Sequence, residues 1–165
     1  MDARRTLWWI RVCIAVMILG LFVSGVTAFP LRVELVIGSD LLHASPAVDW
    51  FPDAVAWVDR VAAALVDVDG RYPFISYGTD WLAYAHLAIA VVFIGPLVDP
   101  VRNIWVIQFG VIACAGIIPL ALIAGGVRGI PLGWQLIDMS FGVIGVIPLL
   151  IAWRLTRRLE RMRSV

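Results

Sequence analysis

Residues 131–153 read PLGWQLIDMSFGVIGVIPLLIAW, and RLTRRLERMR follows at once over 154–163. The apolar run matches the ~20 residues that cross a ~30 Å hydrocarbon core. Trp134 and Trp153 stand 19 positions apart, which at ~1.5 Å per helical residue sets their rings at opposite interfaces of one bilayer. Arg154, Arg157, Arg158, Arg161 and Arg163 then mark the side at which the run leaves the membrane as cytoplasmic.

Three further runs resemble this one: about Leu7 to Phe29, Asp80 to about Val98, and Pro100 to about Ala124. Trp8 and Trp9 open the first, Trp81 the second, and Trp105 lies near the start of the third, as an aromatic belt requires. A chain of 165 residues with 62% apolar side chains and a mean hydropathy of +0.94 has more apolar surface than a soluble domain can bury. The expected fold is therefore all-α, an integral membrane four-helix bundle forming a single membrane domain over 1–165. The formal charge of +1, with every basic side chain an arginine, gives no nucleic-acid footprint.

Orientation follows from arginine placement. Arg4, Arg5 and Arg11 precede or enter the first run, and the arginine tail follows the last, so both termini are expected in the cytoplasm. The tight Asp99-Pro100-Val101-Arg102-Asn103 turn then lies inside with Arg102 snorkelling, and Asp99 reads as an N-cap with Pro100 as first helical residue. The 30–79 connection and the 125–130 turn lie outside. The former is acidic, with Glu34 and six aspartates against Arg32, Arg60 and Arg71. Val26-Thr27-Ala28 resembles a signal cleavage site, but the stretch is long for a signal h-region and carries Arg11. A retained first span is the expectation.

Within the long connection, Trp50, Ala54, Trp57, Val61, Leu65 and Val68 recur at helical spacing, with Asp49, Asp53, Arg60 and Asp67 on the other side. This predicts an amphipathic helix that lies at the outer interface or caps the bundle. A sharper version makes it a lid over a ligand cavity, hinged at Gly70-Arg71-Tyr72-Pro73. Leu31 to Ile37 fits either a short strand or a continuation of the first helix.

Lipid gives no hydrophobic drive for helix association, so small residues indicate which faces meet. Cys13, Gly20, Ser24 and Thr27 form such a stripe in the first run, and Ala83, His86 and Ala90 in the second. Gly110, Cys114 and Ala121 do so in the third, and Asp138, Gly142 and Gly145 in the fourth. Pro119 and Pro148 can kink their helices, and Gly95-Pro96 can bend or shorten the second.

Two polar residues share these stripes. His86 lies six residues beyond Asp80, and Asp138 seven beyond Pro131, so both come roughly 9 to 10 Å below the outer surface at ~1.5 Å per residue. A carboxylate inside a bilayer needs a partner or a wet cavity, at a cost of ~2.5 to 3.5 kcal/mol if central. A His86–Asp138 pair is expected, with Gln135, Arg128, Asp80 and Tyr84 extending the cluster. Such a pair either fixes helix register or lines a ligand-binding, proton-responsive pocket, since imidazole beside carboxylate changes charge near neutral pH.

Most catalytic classes lack their residues. Cys13 and Cys114 form no Cys-x-x-Cys pair for disulfide exchange. His43 and His86 are the only histidines, and His43 is in the connection, which removes a bis-histidine haem within the bundle. No zincin motif, nucleophile elbow or P-loop occurs. In the tail, Arg154, Arg157, Arg158 and Arg161 follow helical spacing, so the last helix is expected to continue past the membrane and attract anionic lipid.

These features predict a non-enzymatic binding or accessory component of a membrane assembly in the bacterial cytoplasmic (inner) membrane. Its expected partners are membrane lipid and another membrane protein or a second copy of itself, with no nucleic acid. No motif implies a cofactor or metal. The alternatives are a small enzyme or redox subunit acting on a quinone or lipid at the His86/Asp138 cluster, and an oligomeric proton or ion channel or transporter.

Overall fold

A computed structural model describes residues 2–163, which are 89% helical without a strand among the described residues. Ser164 and Val165 of the basic tail lie outside the described residues, as does the side chain of Arg163. In chain order the helices are α1 (Ala3–Ala28), α2 (Leu31–His43), α3 (Ala47–Trp50), α4 (Pro52–Arg71), α5 (Pro73–Val92), α6 (Ile94–Val98), α7 (Ile104–Val127) and α8 (Leu132–Arg163). Among the described residues, four stretches are long and apolar enough to cross a membrane: Ala3–Ala28, Pro73–Val98, Ile104–Val127 and Leu132–Met162. The chain is a multi-pass membrane protein of the all-α, four-helix class.

Several boundaries differ from the expectation, each for a local reason. The second spanning stretch begins at Pro73, seven residues before Asp80, because the helix runs through the polar Ser76, Thr79 and Asp80 before its apolar part. Its other end breaks at Phe93, and α6 restarts with Pro96 buried. Asp99 does not cap a helix beginning at Pro100. Its carboxylate accepts the amides of Val101 and Arg102 at 3.2 Å, closing a turn, and α7 starts only at Ile104. Residues 31–37 belong to a separate helix, α2, rather than to a strand or to an unbroken α1; the chain turns at Phe29-Pro30 before it begins.

The turn between α7 and α8 is shorter than 125–130, since α7 runs to Val127. Gly129 adopts a left-handed φ of 67°. The amides of Gly129 and Ile130 return to the carbonyls of Gly126 and Gly125 at 3.3 and 2.9 Å, which is the Schellman closure that glycine permits.

The chain divides into two compact units: one takes the chain up to Leu21 and from Ala88 onward, the other is Phe22–Leu87. The first packs the N-terminal part of α1, the end of α5, α6, α7 and α8 around Ile10, Ile14, Phe93, Ile107, Leu149 and Leu159. Its small residues set close helix approaches. A Cβ on Gly110 would stand 2.8 Å from Phe93 Cζ and 2.9 Å from Leu149 Cδ1, and one on Gly142 2.5 Å from the Cys114 carbonyl oxygen. Polar ends are tied as well: Asp2 Oδ1 accepts the Arg5 amide at the start of α1, and Arg11 Nε donates to the Leu97 carbonyl at 3.1 Å. At ~1.5 Å per residue α8 is about 48 Å long. That exceeds a hydrocarbon core, as the arginine spacing of the tail implied.

The second unit holds the end of α1, α2, α3, α4 and most of α5. In α1 the stripe of small residues is corrected: Gly20 and Ser24 are exposed, and Gly25 is buried instead. A Cβ there would meet the Ala83 carbonyl at 2.9 Å and Leu87 at 2.8 Å. Small residues occur on more than one face of α1, so composition alone does not select the face that meets α5. In α4 the buried residues are Val55, Val58 and Ala62. They lie about 100° around the helix from the centre of the Trp50-to-Val68 stripe, at 100° per residue. The face is set by α2, whose Ser39 and His43 draw Asp59 toward it.

Candidate functional site

Asp138 of the last helix and Arg128 at the end of α7 border one recess. A cavity of ≈ 320 Å³ is walled by Ile117, Leu120, Ala124, Arg128 and Ile130 from α7 and its turn, and by Asp138 from α8. Asp138 is half-buried and takes no hydrogen-bond or ion-pair partner within its own unit. Arg128, exposed at the end of α7, brings a guanidinium to the same cavity.

Gln135, one turn before Asp138, is buried and donates from Nε2 to the Ile130 carbonyl at 2.8 Å. Its amide carbon would lie 2.7 Å from a Cβ on Gly125, so that glycine makes the space the amide fills. Gln135 therefore pins the turn that carries Arg128, and its polar group is already engaged.

The other candidates share α5, in the second unit. His86 Nδ1 donates to the Leu82 carbonyl at 2.8 Å, which fixes the proton on Nδ1 in the neutral ring and leaves Nε2 as the open nitrogen. Tyr84 is exposed and meets Trp81 edge to face, with centroids 6.4 Å apart; Trp81 meets Tyr77 in the same manner at 6.0 Å. Asp80 lines a different cavity, walled also by Arg32, Asp69 and Tyr77. His86 lies thirteen residues along α5 from Pro73, whereas Asp138 lies six along α8 from Leu132.

Sequence reading missed a constellation in the long connection. Asp59 of α4 accepts the Ser39 hydroxyl at 2.5 Å on one oxygen and faces His43 Nε2 at 3.0 Å on the other. Ser39 and then His43 hold the Asp59 carboxyl below its ordinary range by hydrogen bonds to the ionised form. Serine and histidine both address the carboxylate and not each other, so the arrangement is a clasp between two helices and lacks the hydroxyl-to-imidazole contact of a nucleophile. The i, i+4 spacing of Ser39 and His43 was the available signal, and it needed 31–43 to be read as helix. No group of three metal-ligating side chains occurs among the described residues.

No protein-family model matches this sequence, and no match emerged among curated proteins or solved structures.

Proposed function

We propose that this protein is a non-enzymatic binding or accessory component of a membrane assembly, with the Asp138 recess as its binding cavity. One observation carries the reading: Asp138, on a spanning helix, borders a cavity and has no partner within its unit. A carboxylate in that setting is stabilised by a wet cavity or by a group that enters it. Arg128 on the same wall makes the recess dipolar, suited to a ligand or partner side chain that carries both a donor and an acceptor. We place the protein in a bacterial cytoplasmic membrane with both termini in the cytoplasm. The support is arginine distribution: Arg4 and Arg5 at one end, and the run from Arg154 to Arg163 at the other.

The decisive comparison is wild type against Asp138→Asn, purified in native lipid. Loss of a co-purifying lipid, quinone or protein with an unchanged melting temperature supports the binding reading. Unchanged content with a lowered melting temperature assigns Asp138 to helix packing and sinks it. A Soret or flavin band moves the protein to the redox class, and proton or ion flux in liposomes abolished by Asp138→Asn moves it to the transport class. Reporter fusions at the C-terminus and at Asp49 check orientation, and activity of a periplasmic reporter at the C-terminus refutes the assignment.

A further inference from the structure

The second unit contains its own cavity, of ≈ 460 Å³, which the reading above does not use. Its wall is drawn from four places: Phe29 after α1, Arg32 of α2, Asp69 of α4, and Ser76, Tyr77 and Asp80 of α5. The volume lies in the range of small-ligand sites.

The charges in this wall do not cancel. Arg32 Nε lies 3.4 Å from Asp69 Oδ2, and Asp69 Oδ1 accepts the Ser76 hydroxyl at 3.3 Å. Asp69 is thus served on both oxygens and Arg32 is neutralised. Asp80, half-buried on the same wall, has no hydrogen-bond or ion-pair partner within its unit. One carboxylate is left uncompensated in a wall that Phe29, Tyr77 and Thr79 also line.

An anion is repelled by this wall. A divalent cation wants six or more oxygen ligands, while one of the two carboxylates is already committed to a guanidinium and a hydroxyl. The chemistry that fits is a monovalent organic cation that donates hydrogen bonds. A primary ammonium brings three N–H donors for Asp80 and Thr79 and a positive charge for the aromatic faces.

We infer that the cavity between the end of α1, α2, α4 and the start of α5 binds a primary ammonium group through Asp80. The ammonium belongs either to an ethanolamine headgroup or to a free amine, because the cavity adjoins the ends of two spanning helices.

The full chain is reconstituted in nanodiscs of phosphatidylcholine, to which phosphatidylethanolamine, phosphatidylglycerol or free ethanolamine is added. Retention is read by native mass spectrometry and binding by the fluorescence of Trp81, which touches Tyr77. Wild type is expected to prefer the primary amine over the quaternary and anionic lipids by about tenfold, the scale of one charge-assisted hydrogen bond. Asp80→Asn should abolish that preference while the phosphatidylcholine melting curve stays in place. Saturation by free ethanolamine without enrichment of the lipid identifies a soluble amine, and enrichment of the lipid alone identifies the headgroup; both sustain the inference. Equal retention of all three lipids by wild type with no response to ethanolamine overturns it, as does an undiminished preference in Asp80→Asn. Should Asp80→Asn fail to fold, Tyr77→Leu gives the second variant, and the wild-type preference alone still decides. Asp138→Asn is expected to leave this preference intact, which separates this site from the recess of the first unit.

Discussion

His43 Nε2 stands 3.0 Å from a carboxylate oxygen of Asp59, so the last turn of α2 is tied to the middle of α4. Ser39 holds the other oxygen at 2.5 Å. Together they depress the Asp59 carboxyl below the ordinary carboxylate range.

A carboxyl depressed in the folded state adds stability that is fully present above its unfolded value and lost as pH falls through its folded value. The contribution of the clasp should therefore vanish on acidification below the ~3.9 of a free aspartate. Fluorescence of Trp57 on α4, followed through acid titration, should show wild type and Asp59→Asn converging in that window. A gap that stays constant down to about pH 2 would exclude the clasp as a source of stability.

Gly142 and Gly116 offer a steric contrast. A Cβ on Gly142 would lie 2.5 Å from a backbone oxygen of α7, while one on Gly116 would meet nothing within 4 Å. Gly142→Ala is expected to destabilise the α7–α8 contact by about 1–3 kcal/mol. Gly116→Ala should be neutral or stabilising by up to ~1 kcal/mol, because alanine loses less backbone entropy in a helix. Thermal melts of the two variants in the same detergent check the order.

Asn103 closes the connection from α6 to α7. Its Nδ2 donates to the Gly95 carbonyl at 3.1 Å and to the Asp99 carbonyl at 2.9 Å. Asn103→Ala removes both bonds and should cost about 1–3 kcal/mol. Faster hydrogen exchange confined to 95–106 would accompany the loss, and exchange unchanged in that segment would show that the turn holds without it.

Gly129 is the residue with a left-handed φ between α7 and α8. Gly129→Ala forces a Cβ into that conformation at a cost of roughly 1–2 kcal/mol, with space around it playing no part since nothing lies within 4 Å. Gly126→Ala, three residues earlier in helical geometry and equally open, is the matched control. Similar melting temperatures for the two would contradict the backbone argument.

The spans were legible because hydrocarbon thickness demands long apolar runs, and a hydropathy criterion finds those runs directly. It finds the greasy part of a helix and not its ends, which is why α5 was placed seven residues late. Arg128 and Asp138 border one cavity because only a short turn joins α7 to α8. The clasp at Asp59 was not legible, since its partners sit on α2, a helix whose alternating apolar pattern at Leu31–Ile37 carries no clear period. The facing surface of α1 was half legible: Cys13 is buried as expected, while the glycine that meets α5 is Gly25.

Between α4 and α5 a single residue leaves helical geometry. Tyr72, with φ −139° and ψ 60°, separates Arg71 from Pro73, and its amide still reaches back to the Val68 carbonyl. One pair of dihedral angles is thus all the slack in the backbone at that junction. Torque applied to α4 must either turn the first residues of α5 or unwind a turn, so the joint transmits rotation as a crank does.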